Sequence, residues 1–323
     1  MSATPADSAA DASGDLSTLG AIGFVGAGAV GSMLARALAA RGAHITAIAA
    51  RQIAHAAALV ALLPEGMAQA LPAEAVVTSC DLVFLAVPDD AITPLAEMLP
   101  WRSGQRVVHL SGAKPARALT AAQARGAQIA ALHPLMTFPR AALDGPVASL
   151  LKRLSGCYWA LEAEDRELAQ SLTGMVTALD GHVLRLGAED RVPYHLAGVF
   201  TSNYVVTLLA TASALWETFG VARGEALQAL LPLLRATVEN LAERGLPQAL
   251  SGPVARGDTS TVAAHLAWLD GAVQGAQGQT QADTARARDE LYRLLARLTI
   301  PLALEKQTIT PEQAAALRDL LGK

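Results

Sequence analysis

The stretch Ala21-Ile-Gly-Phe-Val25-Gly26-Ala-Gly28-Ala-Val-Gly31, followed by Ser32-Met-Leu-Ala-Arg-Ala-Leu-Ala-Ala-Arg41-Gly42, decides the fold. Ala21 to Val25 is a short apolar run of the kind a buried strand shows, and Ser32 to Arg41 has helical character closed by a glycine. Three glycines at 26, 28 and 31 join the two. A glycine turn between a strand and a helix aims backbone N–H groups and the positive helix end at one point, a cradle for a pyrophosphate. Gly26, Ala27, Gly28, Val30 and Gly31 are therefore candidate dinucleotide contacts, beside the plainer reading of a tight turn that needs small residues.

Outward from this turn the pattern repeats. His44 to Ala49 reads as a second strand and Gln52 to Leu63 as a helix stopped by Pro64. A degenerate strand is expected near Met67 and a short helix over Pro72 to Cys80. Apolar runs at Leu82–Val87, Arg106–Leu110 and Gln128–Leu132 alternate with helix-like Ile92–Leu99 and Ala116–Ala124. Cys157–Glu162 and His182–Leu186 bracket a helix at Asp165–Leu179. Strands without in–out alternation, separated by helices, predict an α/β doubly wound, mainly parallel sheet covered on both faces. After Leu186 only helical pattern remains, over Val192–Phe219, Arg223–Glu243, Thr259–Asp270, Gln281–Leu298 and Pro311–Leu321. The expected organisation is a disordered tail over 1–19, a nucleotide-binding domain over 20–186 and an all-helical domain over 187–323, with a cleft between the two domains.

Composition narrows the function classes. Twenty-five Lys and Arg against twenty-nine Asp and Glu leave no basic excess for tracking nucleic acid. Two cysteines, Cys80 and Cys157, build no disulfide framework and fit a reducing, cytoplasmic setting. Residues 1–19 lack the basic and apolar regions of a signal peptide. Val192 to Trp216 contains no Asp, Glu, Lys or Arg and is long enough to cross a bilayer. Its polar content (His195, Thr201, Ser202, Asn203, Thr207, Thr211, Ser213) favours a helix buried inside a helical domain instead. One domain of about 135 residues is small cover for such a helix, so a dimer through the second domains is expected.

The end of the second strand selects the cofactor. An NAD site carries an acid about twenty residues beyond the glycines. Here no acid stands between His44 and His55, and Arg51 lies twenty residues after Gly31. A guanidinium suits a 2′-phosphate, which favours NADP over NAD. Further strand ends supply Val87-Pro88-Asp89, Ser111-Gly112 and His133. The aspartates can equally cap a helix, Ser111 can cap the next turn, and His133 can be a core histidine. On the uncharged helix His195 and Ser202 fall about 20° apart and Asn203 about 80° from His195. His195 is the first candidate proton donor, Asn203 and Ser111 orient, and His133 polarises. Tyr194, Ser202, Arg256 and Asp258 are candidate substrate contacts, the last two from a Gly252–Asp258 loop that also reads as an ion-paired turn. His133, His195 and His265 lack the spacing of a compact metal motif, and no metal is expected.

Gly26-x-Gly28-x-x-Gly31, Leu85-Ala-Val-Pro-Asp89, Ser111-Gly-Ala113, His133-Pro-Leu-Met-Thr-Phe138, Tyr194-His-Leu-Ala, Thr201-Ser-Asn203 and Gly252-Pro-Val-Ala-Arg-Gly-Asp258 resemble a bacterial family of Rossmann-like oxidoreductases. Its helical second domain is the domain of unknown function DUF2520. The resemblance covers residue 20 to the end, and its glycine and Val-Pro-Asp elements are shared with pyrroline-5-carboxylate reductases, ketopantoate reductases, deazaflavin-dependent NADP reductases and 3-hydroxyacid dehydrogenases. It implies an NADP-linked reductase or dehydrogenase with its active site between the domains, and a homodimer. Hydroxyacid dehydrogenases place a Lys and an Asn on the first long helix of the second domain. No lysine occurs here between Val192 and Trp216, which leaves room for imine or keto-acid reduction. The reading from another class is a dinucleotide-binding sensor or scaffold without turnover.

Overall fold

The computed structural model describes residues 16–139 and 145–322. Its contacts divide the chain into two units, one running to Asn203 and the other from Tyr204.

In the first unit β1 (Ile22–Val25), α1 (Ala29–Ala40), β2 (Ile45–Ala49), α2 (Ile53–Val60), β3 (Gln69–Ala70), α3 (Ala73–Ser79), β4 (Leu82–Leu85), α4 (Asp89–Met98) and β5 (Arg106–His109) follow the expected alternation. A 3-10 turn at Ala116–Leu119 and the short α5 (Thr120–Gln123) replace the single helix expected there. Then come β6 (Gln128–Pro134), α6 (Val147–Leu154), β7 (Tyr158–Ala163), α7 (Arg166–Ala178) and β8 (His182–Arg185). The eight strands run in the order β3-β2-β1-β4-β5-β6-β7-β8. All pairs are parallel except β6 with β7. This is the doubly wound, mainly parallel sheet.

Two apolar layers flank it. Ile22, Phe24, Leu82, Phe84 and Val108 belong to one, and Val25, Val83, Leu85, Val107 and Ile129 to the other. Successive side chains point to opposite faces, so burial of both faces explains the unbroken apolar runs. Gly26 has φ +110°, and a Cβ there would lie 2.1 Å from the Ala86 carbonyl oxygen. Backbone packing alone therefore requires this glycine.

Several expectations need correction here. Residues 16–19 are not a disordered tail but a 3-10 turn that buries Leu16 and Leu19 against the sheet layer. Their apolar spacing is too short to register as a pattern; the rest of the expected tail lies outside the described residues. The chain also divides after Asn203 and not at 187. The segment beyond Leu186 keeps helical period, yet its first side chains are fastened to the sheet.

That segment forms α8 (Arg191–Gly198), a π turn (Val199–Asn203) and α9 (Tyr204–Glu217). It is long and apolar enough to cross a membrane by length and composition. The expectation that it lies buried within a helical domain fails: Ser213 is the buried residue of α9, and Val192, Phe200 and Val206 are 60–68% exposed. The π turn also shifts the helical register, so the angles assumed between His195, Ser202 and Asn203 do not carry over.

The second unit continues with α10 (Arg223–Arg244), α11 (Thr259–Gln274), α12 (Gln279–Glu305) and α13 (Pro311–Leu321). Val262, Leu266, Ile300, Ala303, Ala314 and Leu317 form its core. The Thr310 hydroxyl accepts from the Gln313 N–H at 3.2 Å while the Gln313 side chain accepts from the Thr310 N–H at 2.9 Å, a reciprocal cap at the start of α13.

Candidate functional site

His109 closes β5, and His133 stands near the end of neighbouring β6. Register pairs His109 with Ala131, so both imidazoles project from the same sheet face as Val107 and Ile129. The Ser111 N–H donates to His109 Nδ1 at 3.3 Å, which leaves the ring proton on Nε2 to be given to the Pro115 carbonyl at 3.0 Å. Burial, opposed by that carbonyl bond, pushes the His109 pKa down to about 4. Burial, then His195 and Arg191, push His133 to about 4 as well. Both rings are uncharged at neutral pH.

The residue that assembles the site is Arg191, which stands immediately before the uncharged stretch. It is fully buried, with Nε on the Glu162 carboxylate at 2.9 Å. Its remaining nitrogens donate to the Ser111 carbonyl at 3.1 Å and the Ala131 carbonyl at 2.7 Å. Glu162 lies directly across the antiparallel β6–β7 pair from Ala131, so its side chain shares that face. Tyr194, half-buried, and His195, exposed, lie three and four residues on, about one turn along α8 from Arg191. The Tyr194 hydroxyl sits 2.9 Å from His133 Nδ1, and the rings of His133 and His195 are 6.4 Å apart. Gly112 completes the approach. A Cβ there would come within 2.8 Å of His195 and 3.0 Å of His133, so no larger residue fits without displacing both rings.

Ser111 is buried, and its hydroxyl oxygen accepts from the N–H groups of Ala113 and Lys114 at 3.2 and 3.0 Å. These bonds shape the loop after β5. Ser202 is half-buried and Asn203 exposed, in the π turn. Arg256 and Asp258 belong to the second unit and form no ion pair with each other. The Asp258 carboxylate caps α11, accepting from the Thr261 N–H and the Ser260 and Thr261 hydroxyls, bonds that hold its pKa at about 2. His265 pairs with the Tyr292 hydroxyl at 2.9 Å. Among the described residues no group of three His, Cys, Asp or Glu could hold a metal ion.

At the glycine turn, Gly31 is also demanded by packing, its Cβ position lying 2.6 Å from Ala86 Cβ. Gly28 is different. A Cβ there would meet only the Ala86 carbonyl oxygen, at an ordinary 3.7 Å, and α1 begins from Gly28 without a side-chain cap. Among the described residues nothing requires glycine at 28. Ala27 and Val30 pack on the adjoining sheet layer. Arg51 follows β2, exposed and without an ion pair among the described residues. Pro88 starts α4, with Asp89 and Asp90 in its first turn and Val87 packed beneath.

Comparison with known proteins agrees with this architecture. Residues 7–134 match the family model of a Rossmann-like domain, and residues 157–299 that of the domain of unknown function DUF2520. The chain thus carries a Rossmann-like domain followed by a DUF2520 domain. No curated protein matches the sequence. Among solved structures it is similar to a candidate NADP oxidoreductase of Bacteroides fragilis, at 24% identity and TM-score 0.66, over 87% of this chain and 98% of that one. A reductive aminase from Aspergillus terreus, solved with NADPH, cyclohexanone and allyl amine, matches at 20% identity and TM-score 0.52 over 94% and 92%. A 1-pyrroline-5-carboxylate reductase of Streptococcus pyogenes matches at 14% and 0.54 over 90% and 98%. At these identities the likeness is one of fold.

Two outcomes follow from the site. Arg191→Met leaves the Glu162 carboxylate and two carbonyls without their donor, and denaturant melts are expected to show a loss of about 3–5 kcal/mol, of which Arg191→Lys recovers part. The histidines make a pH signature. A ring kept neutral in the fold but free to protonate when unfolded gives the unfolded chain more bound protons between about pH 4 and 6.5. Stability is therefore full above about 6.5 and declines as pH falls toward 4, by about 3 kcal/mol for His109 alone. Urea midpoints across that range check this, and His109→Gln should flatten the decline.

Proposed function

We propose that the protein is an NADP-dependent oxidoreductase acting on a small, carboxylate-bearing carbonyl, imine or hydroxy compound. The observation that carries this reading is Gly28: a glycine that the packing of the described residues does not need, at the uncapped N-terminus of the first helix after the first strand. Gly26, Ala27, Gly28, Val30 and Gly31 would hold the pyrophosphate, Arg51 the 2′-phosphate, and Val87 to Asp89 with Ser111 and Gly112 the remaining length. NADPH, when bound, supplies the hydride. The names of the B. fragilis, A. terreus and S. pyogenes proteins support the class. His133, uncharged at neutral pH, suits hydrogen bonding to a substrate oxygen better than delivery of a proton, which leaves His195 as the donor. Ser111 and Asn203 orient the substrate, with Ser202 as a further contact. Two buried free thiols, Cys80 and Cys157, fit a cytoplasmic setting.

The same reading includes a homodimer. Val192, Leu196, Phe200, Val206 and Leu208 are apolar and 40–68% exposed along one helical run, more than single surface residues account for. A second copy of this chain would cover them.

Titration of intrinsic NADPH fluorescence should show tighter binding than for NADH. Arg51→Ala should lower NADPH affinity about 10–100-fold and leave NADH unchanged, since a charge-assisted pair is worth about 1.5–3 kcal/mol. Gly28→Ala should weaken both while the fold persists. Absence of binding to either nucleotide sinks the reading. Binding without NADPH oxidation across small keto acids and cyclic imines would move it to a sensor. Light scattering should report twice 33.4 kDa, and Phe200→Glu with Val206→Glu should return the monomer; a monomeric parent protein overturns the dimer.

A further inference from the structure

Among the described residues, both hydrogen-bond neighbours of the Tyr194 hydroxyl belong to one residue. It lies 2.9 Å from His133 Nδ1 and 3.4 Å from the His133 carbonyl oxygen. The hydroxyl has one proton to give. Phenol is a stronger acid than a neutral imidazole N–H, and an imidazole lone pair a better acceptor than a phenolic oxygen. The favoured arrangement is therefore O–H donating to Nδ1 at 2.9 Å, while 3.4 Å is beyond the usual O–H···O range. The alternative, Nδ1–H donating to the phenol, pairs the weaker acid with the weaker acceptor and relies on that long second contact.

With Nδ1 an acceptor, the neutral ring must carry its proton on Nε2. That nitrogen faces Gly112, where a Cβ would stand 3.0 Å away, and among the described residues no hydrogen bond is made to it. The Tyr194 ring meets His133 edge-on, at 86° and 5.8 Å between centroids, which fixes the plane of the imidazole. The groups whose charge bears on His133 are His195, Arg191, Asp89 and His109. None of them is hydrogen-bonded to either ring nitrogen.

We propose that Tyr194 is a positioning residue that holds His133 as its Nε2–H tautomer, so that the site presents an uncharged hydrogen-bond donor beside Gly112. The ligand atom such a donor meets is an acceptor, a carbonyl or carboxylate oxygen. A protonated amine, with donors only, finds no partner there. Assigning that oxygen to the substrate rests on the oxidoreductase reading; the tautomer itself is a property of the free protein.

Long-range proton–nitrogen correlation NMR on the full chain labelled with 15N-histidine, without nucleotide at pH 7, reads the tautomer directly. His133→Gln identifies the resonance by its loss. The expected result in the parent protein is a single tautomer, protonated at Nε2 and unprotonated at Nδ1. Tyr194→Phe, which keeps the ring and its packing, should move both nitrogens to intermediate, averaged positions. A parent His133 protonated at Nδ1 overturns the proposal outright, whether or not the variant folds. An unchanged tautomer in a folded Tyr194→Phe overturns the role of Tyr194, because packing alone would then suffice. If NADPH binding fails while these shifts appear, the oxidoreductase reading falls and the positioning role stands.

Discussion

A guanidinium with no access to water holds the site together. Arg191 is paired with Glu162 and gives its other donors to two main-chain carbonyls, so each buried polar group finds a partner. The carbonyls belong to the loop after β5 and to β6, and the carboxylate to β7. One side chain therefore ties the start of α8 to three successive segments of the sheet. A charge buried this deeply is tolerated only with near-complete pairing, so the attachment has little freedom to slide. Tyr194 and His195 inherit their places from it, one helical turn further on.

The opposite requirement, absence of bulk, acts at the glycines. Gly26 and Gly31 let the first loop close on Ala86, and Gly112 lets the next strand end pass beneath two imidazoles. These are steric needs of the chain itself. Gly28 stands apart because, among the described residues, its missing Cβ would make only an ordinary contact, with the Ala86 carbonyl oxygen.

The long apolar run shows how composition and burial can part. Uncharged sequence from Val192 to Trp216 requires cover, yet in the single chain its large side chains stay largely in the open. The π turn at Val199–Asn203 interrupts its middle and re-aims Ser202 and Asn203. Its first turn belongs energetically to the sheet through Arg191, despite a helical period it shares with everything after it.

Much of the fold was legible in the order of residues. Buried parallel strands announce themselves as apolar runs, glycines and prolines mark the turns, and Thr310 with Pro311 marks the last helix, since local chemistry suffices for each. His133, Ser111, Tyr194 and His195 were legible as polar groups at strand ends and on an apolar helix. The bonds among them were not. Arg191 was not legible as a site residue because its partners lie 29 to 80 residues away and two of them are backbone carbonyls. His109 looked like a strand residue, for only the fold withdraws it from water and turns Ser111 toward it. Sequence by itself determined which segments are strands, helices and glycine turns. Tertiary structure alone decided which of the polar groups meet, because partners so distant in the chain are joined by register and burial and not by any local pattern.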